Sequence, residues 1–179
     1  NEYYITSLAI SKNQNTQDHI YILTESQIYK TTNLGATWIP KNTPCSYSMS
    51  SLCINDSGYL FFNSSCGVFR STNDGISWDL MNTNSWMGQV KCIVANPEQS
   101  NVYVSSEHGF YRSTNNGNTW MQVSMSGSNA SNIKINDKGH LYVLNTFGEI
   151  LKSTNNGNTF ILINNGLPLT YGFIQDLAF

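Results

Sequence analysis

Apolar and polar positions alternate along this chain in short bursts, and the bursts recur. An apolar stretch comes first (5–10, 51–54, 90–95, 132–135), then a polar turn such as Asn55-Asp56-Ser57-Gly58 or Asn136-Asp137-Lys138-Gly139. An aromatic and β-branched stretch follows (19–23, 59–62, 101–104, 140–144), then a tight turn and a third stretch. Alternation of period two, β-branched and aromatic enrichment and regularly spaced turn residues predict short antiparallel strands. No segment sustains the 3.6-residue period of an amphipathic helix.

The third stretch of each unit runs into one ten-residue motif. Its copies are 29–38 (YKTTNLGATW), 69–78 (FRSTNDGISW), 111–120 (YRSTNNGNTW) and 151–160 (LKSTNNGNTF). The motif glycines Gly35, Gly75, Gly117 and Gly157 are spaced 40, 42 and 40 residues apart. A fourth strand starts at the closing aromatic. Four strands in every forty residues is the plan of a β-propeller blade, so the fold class read here is all-β, a propeller of four-stranded antiparallel blades. The blades fall at about 1–43, 44–83, 84–125 and 126–165.

The motif has a mechanical explanation. Asn-Asn-Gly and Asn-Asp-Gly put glycine where a hairpin turn needs a positive φ. The hydroxyl of Thr31, Ser71, Ser113 or Ser153, and the side-chain oxygen of Asn33, Asn73, Asn115 or Asn155, can hold backbone N–H groups of the turn. The closing Trp38, Trp78, Trp120 or Phe160 offers a large surface to a neighbouring blade. These residues brace a turn and are not arranged for chemistry.

The motif resembles the Asp-box, or bacterial neuraminidase repeat, with consensus Ser-x-Asp-x-Gly-x-Thr-Trp. Asn stands at the Asp position in all four copies, Thr31 opens the first and Phe160 closes the last. The resemblance spans nearly the whole chain. It implies the propeller fold and leaves function open, because the family includes sialidases, xyloglucan hydrolases, sorting receptors, photosystem assembly factors and secreted bacterial proteins. Such propellers commonly have six to eight blades. Residues 166–179 resemble the opening strand of a fifth blade, with Leu177-Ala178-Phe179 set against Leu8-Ala9-Ile10. The chain therefore reads as part of a larger ring, the alternative being a small closed ring in which the last strand completes another blade.

Composition narrows the partners. The chain has 179 residues, and only 11% are charged, less than half the usual quarter. Polarity comes instead from uncharged groups, including 24 Asn. Net charge is -2, and Arg70 and Arg112 are the only arginines. No basic patch invites nucleic acid. No stretch approaches the roughly 20 apolar residues of a membrane helix, so direct membrane insertion is not expected. No signal peptide is visible, and the chain begins at Asn1 rather than Met.

Candidate chemistry is sparse. His19, His108 and His140 do not cluster, no Cys pair has zinc-type spacing, and neither metal nor cofactor is expected. In a propeller the inter-blade loops and the turns between second and third strands emerge on one face. That face carries Tyr47, Met49, Trp86, Met87, Glu107, His108, Phe147 and Tyr171, which makes it the candidate binding face. Trp86 is the leading residue, a large aromatic in the polar run Asn82–Gly88. Cys45 and Cys66 belong to the same face of the second blade, where a disulfide is geometrically allowed and would indicate an oxidising compartment. Cys53 and Cys92 read as equivalent small residues of adjacent inner strands and as free thiols.

Arg70 and Arg112 occupy a repeat position shared with Lys30 and Lys152, so they are structural, and a sialidase-type arginine cluster is not expected. A xyloglucanase-type site needs two carboxylates on one cleft. Glu107 and Asp176 are the only loop or inner-strand acids that suit it. No catalytic residue is assigned. The expectation is a secreted, cell-surface or periplasmic interaction module with a protein or glycan partner, belonging to a larger extracellular assembly. The alternative is part of a glycoside hydrolase whose catalytic residues lie mostly outside this segment. Asn55, Asn63 and Asn129 fit the N-glycosylation pattern.

Overall fold

A computed structural model describes residues 4–11, 18–81, 87–96, 99–125 and 130–166. The anticipated fifth-blade strand, Trp86 and Tyr171 lie outside the described residues. Among these described residues, sixteen strands form four sheets of four, each antiparallel and in sequence order. The first blade is β1 (Ile5–Ser11), β2 (His19–Thr24), β3 (Ile28–Thr31) and β4 (Ile39–Lys41). The second is β5 (Ser51–Ile54), β6 (Leu60–Ser64), β7 (Gly67–Ser71) and β8 (Asp79–Leu80). The third is β9 (Val90–Ala95), β10 (Val102–Ser106), β11 (Gly109–Ser113) and β12 (Met121–Val123). The fourth is β13 (Ala130–Ile135), β14 (Leu141–Asn145), β15 (Ile150–Ser153) and β16 (Ile161–Leu162). Inner strands β1, β5, β9 and β13 lie against one another in that order.

Blades stack face to face, and each contact has its own apolar core. Tyr21, Leu23 and Ile28 of the first blade meet Leu52, Leu60, Phe62 and Phe69 of the second. Phe61 and Val68 meet Ile93, Val102, Val104 and Tyr111. Tyr103 and Phe110 meet Ile133, Leu141, Val143 and Leu151. Successive side chains of a strand point to opposite faces. β6 is covered on both faces, which is why its sequence reads as a continuous apolar run: Leu60, Phe61 and Phe62 all have no exposed surface.

The four motif turns share one hydrogen-bond circuit. The hydroxyl of Thr31, Ser71, Ser113 or Ser153, at 1% exposure, accepts the N–H of the motif glycine at 2.8–3.0 Å. The same hydroxyl donates to the motif Asn Oδ1 at 2.9–3.0 Å. That Oδ1 also accepts the backbone N–H four residues on, at 2.9–3.0 Å. The Asn amide then donates to the hydroxyl of Thr37, Ser77, Thr119 or Thr159 at 2.8–3.0 Å. A hydroxyl can donate or accept, so an Asp in place of Asn could receive the proton from it instead. Each turn holds two successive left-handed residues, as in Asn116 (φ 56°) and Gly117 (φ 85°). Glycine bears that conformation without cost, and Leu34 (φ 53°) is the bulkiest residue made to adopt it.

Two devices repeat between blades. The first lies on the inner strands. Ser7 Oγ donates to the Leu52 carbonyl at 3.3 Å and accepts the Leu52 N–H at 3.0 Å. Ser51 does the same with Ile93, at 3.1 and 3.3 Å. Cys92 fills this position next and reaches the Ile133 carbonyl only at 3.9 Å. Strand register therefore corrects the reading of Cys53 and Cys92 as equivalent. Cys53 opposes Phe61 and is level with Ala9 and Val94, whereas Cys92 is level with Ser51, two residues back. Both are free thiols. Burial pushes the Cys53 thiol upward, and the neighbouring Cys92 sulfur adds to the rise.

The second device lies in the residue before each motif, which reaches the next blade's turn. Arg70 Nη1 donates to the Asn116 carbonyl (2.8 Å) and Asn118 Oδ1 (2.9 Å). Arg112 Nη1 donates to the Asn156 carbonyl (2.6 Å) and Asn158 Oδ1 (2.8 Å). Lys30 instead meets a charge, Asp74 Oδ2, at 2.8 Å. Lys41 joins at 3.0 Å, and the Tyr21 hydroxyl donates to Asp74 Oδ1 at 2.5 Å. Burial alone would raise the Asp74 carboxyl, but hydrogen bonds from Lys30, Tyr21 and Lys41 outweigh it and hold it below the usual carboxylate range.

Candidate functional site

The perturbed Asp74 cluster binds two blades together in the same place as the arginines, so it belongs to the scaffold. The opposite face is built from inter-blade loops stitched to the turns between second and third strands. Met49 N–H donates to the Glu25 carbonyl (3.3 Å), Ser65 N–H to Tyr47 (3.2 Å), Glu107 N–H to Gln89 (3.0 Å) and His108 N–H to Met87 (3.3 Å). A disulfide joins Cys45 to Cys66 with the Cα atoms 6.2 Å apart, closing the loop that carries Tyr47 onto the turn of the second blade.

The sequence-predicted residues divide on this face. Tyr47 and Phe147 project, at 73% and 74% exposure. Both stand on braced backbone: the Tyr47 carbonyl also accepts the Ser65 hydroxyl, and Asn145 Oδ1 accepts the N–H groups of Phe147 and Glu149. Glu107 is exposed and its carboxylate accepts the Gln89 N–H at 3.2 Å, so it positions a loop. The His108 carbonyl accepts from Tyr111 and Gln122. Met87 is a correction. It has no exposed surface and packs with Phe61, Val68 and Val90, because the loop turns inward there, so it cannot touch a ligand. Met49 is buried for the same reason, at 2%. Asn55 (5%) and Asn63 (1%) are closed to glycosylation, and Asn129 lies outside the described residues.

Among the described residues, two cavities border the inner strands. One, about 450 Å³, is walled by the inner strands, including Ser51, Cys53, Cys92, Asn132 and Lys134. The other, about 560 Å³, opens at its mouth on the binding face, among Thr6, Glu25, Ser48, Ser50, Gln89 and Lys91. Nothing in the sequence pattern marks this second group, because its residues come from loops and strand ends of three blades. A signal does exist in the backbone: among the described residues Ser48 (φ 51°) is the only non-glycine outside the motif turns with a positive φ. No group of three or more His, Cys, Asp or Glu among the described residues could hold a metal ion. No described helix is long and apolar enough to cross a membrane.

Radial four-stranded blades around an axial cavity define a β-propeller. This chain belongs to the DUF6242 beta propeller domain family, whose model matches residues 46–170. No curated protein matches it in sequence. Among solved structures it is similar to YCF48 bound to D1 peptide, at 14% identity and TM-score 0.67, over 89% of this chain and 54% of that one. It is similar to YCF48 from Cyanidioschyzon merolae, at 16% and 0.66, over 90% and 56%. It is also similar to the GH74 enzyme of Niastella koreensis, at 18% and 0.71, over 88% and 30%. At these identities the likeness is one of fold. The chain spans about half the length of the YCF48 structures and under a third of the GH74 enzyme.

Proposed function

We propose that this chain is a non-enzymatic interaction module of a secreted, cell-surface or periplasmic protein, using the loop face of the propeller to bind a protein or glycan. The observation that carries this reading is the pair of exposed aromatics, Tyr47 and Phe147, held on hydrogen-bonded turns of one face. Rigid exposed aromatics give contact area at little entropic cost. The Cys45–Cys66 disulfide favours an oxidising compartment. The peptide bound by YCF48 supports a protein partner for a fold of this kind. Kinship of the motif with the Asp-box accounts for four braced turns on the other face and assigns them no contact with a ligand.

The hydrolase alternative needs two carboxylates facing one cleft. Glu25 is the only acid lining either axial cavity among the described residues, so the binding reading is preferred. The reading also has the ring continue beyond these blades. Leu8 is 55% exposed, whereas its counterparts Leu52, Ile93 and Ile133 are covered by the preceding blade to 4% or less. A native protein of this mass that melts cooperatively as a monomer would end the continuation idea. For the binding reading, a glycan array and a pull-down from the native source are decisive. Capture that is lost in Tyr47→Ala or Phe147→Ala supports it. Glycan turnover, or no captured partner at all, refutes it.

A further inference from the structure

Within the binding face, four polar side chains converge on the mouth cavity with their hydrogen-bonding groups uncommitted. Glu25, Ser48, Gln89 and Lys91 all line it, and none of their side chains makes a hydrogen bond or ion pair with any described residue. Their neighbours differ. Thr6 Oγ1 donates to the Leu23 and Met49 carbonyls, and Ser50 Oγ donates to the Lys91 carbonyl and accepts from Asn63. The wall is thus fixed by some hydroxyls while other groups stay free to face a guest.

The scaffold also holds those free groups in place. Glu25 sits in a turn whose Thr24 hydroxyl accepts the Gln27 N–H at 3.0 Å, and its own carbonyl accepts the Met49 N–H. Ser48 is held in a left-handed conformation, which costs energy in a residue with a side chain and is concentrated at functional sites. The Gln89 N–H is held by Glu107 and the Gln89 carbonyl by the Glu107 N–H.

We infer that this cavity is a subsite for one ring of a neutral sugar, bound through its hydroxyls. The inference rests on the interaction-module reading and narrows its ligand. Each sugar hydroxyl both donates and accepts, and the free set offers matching partners: a carboxylate that accepts, an ammonium that donates, and an amide and a hydroxyl that do both. Tyr47, the residue preceding Ser48, stands exposed at 73% and offers an amphipathic ring. A peptide anchor would need a dry apolar pocket. Here the lining is mixed, with polar surface about as large as apolar. The cavity volume of about 560 Å³ lies in the range of small-ligand sites.

The test is an array of neutral and anionic oligosaccharides, followed by calorimetric titration of the strongest binder. A neutral oligosaccharide is expected to bind, and Glu25→Gln and Gln89→Ala each to weaken it by about tenfold, the loss of one hydrogen bond to a charged or polar group. Both side chains are exposed and unbonded, so the melting temperature of the variants should not move. Lys138→Ala, on the opposite face, should leave affinity unchanged. Binding indifferent to Glu25, Ser48 and Gln89 overturns the inference, as does binding of no oligosaccharide. If the array is blank while Tyr47-dependent capture of a protein persists, the sugar subsite falls and the interaction module stands. If neither is seen, both fall.

Discussion

Ser113→Ala removes one buried oxygen from the third motif turn, and its cost can be worked from the contacts that oxygen makes. Ser113 is 1% exposed. Its hydroxyl donates to Asn115 Oδ1 at 2.9 Å and accepts the Gly117 N–H at 2.8 Å, with a longer contact from Asn115 N–H at 3.3 Å. Losing the donated bond costs about 1 kcal/mol, and leaving the buried Gly117 N–H without an acceptor costs about 1–2 kcal/mol more. Water reaches the exposed Asn115 but not the buried Gly117 N–H, so the second cost dominates. The sum, about 2–3 kcal/mol, lowers the melting temperature of a domain this size by roughly 4–12 °C. Thr119→Val is the control. It removes the hydroxyl that accepts from Asn115 Nδ2 at 3.0 Å, but both residues are exposed, so water substitutes and the cost stays within about 0.5 kcal/mol. Thermal melts followed by circular dichroism, with urea titration as a second measure, rank the two. Equal costs, or a Ser113→Ala shift below 1 °C, would refute the assignment of the motif as a buried brace.

Other consequences follow from the inter-blade contacts. Asp74 is held below the ordinary carboxylate range, so its contribution is present above about pH 4 and is lost as pH falls toward the folded-state value; Asp74→Asn should flatten that part of the acid stability curve. Tyr103 is pushed up to about 12 by burial, with the Arg112 charge opposing. Its contribution is therefore full below about pH 10 and declines as pH rises from there, and Tyr103→Phe should lessen the alkaline loss seen in urea titrations. Cys92→Ser restores the inner-strand hydroxyl seen at Ser7 and Ser51 and should raise stability by about 0.5–1.5 kcal/mol in the same assay. Reducing Cys45–Cys66, which are 21 residues apart, should cost about 3 kcal/mol, and alkylation without reductant should leave both unlabelled.

The fold was legible because each forty-residue unit repeats its strands and its turn chemistry locally. Ser113, Asn115, Gly117 and Thr119 close their circuit within seven residues, a span that sequence spacing displays. Contacts between blades were not legible. Arg70 and Asn116 are 46 residues apart, and Lys30 and Asp74 are 44 apart; only stacking brings them together. Spacing also misled at Cys92, because alignment by cysteine ignored the strand register that pairs Cys92 with Ser105 and Cys53 with Phe61. Met87 follows a polar run and reads as a loop residue, yet its flexible apolar side chain fills the contact between the second and third blades. The axial mouth was hidden for a related reason. Glu25, Ser48, Gln89 and Lys91 come from the edges of three blades, and none belongs to a motif.

The central claim is that the motif turns serve structure while the opposite loop face binds. Hydrogen–deuterium exchange of the chain with and without its captured partner tests this most directly. The account predicts protection confined to the loop face, at 25–27, 45–50, 88–91, 107–108 and 146–149, with the four motif turns unchanged. Protection centred on the motif turns at 31–38, 71–78, 113–120 and 153–160 would contradict it.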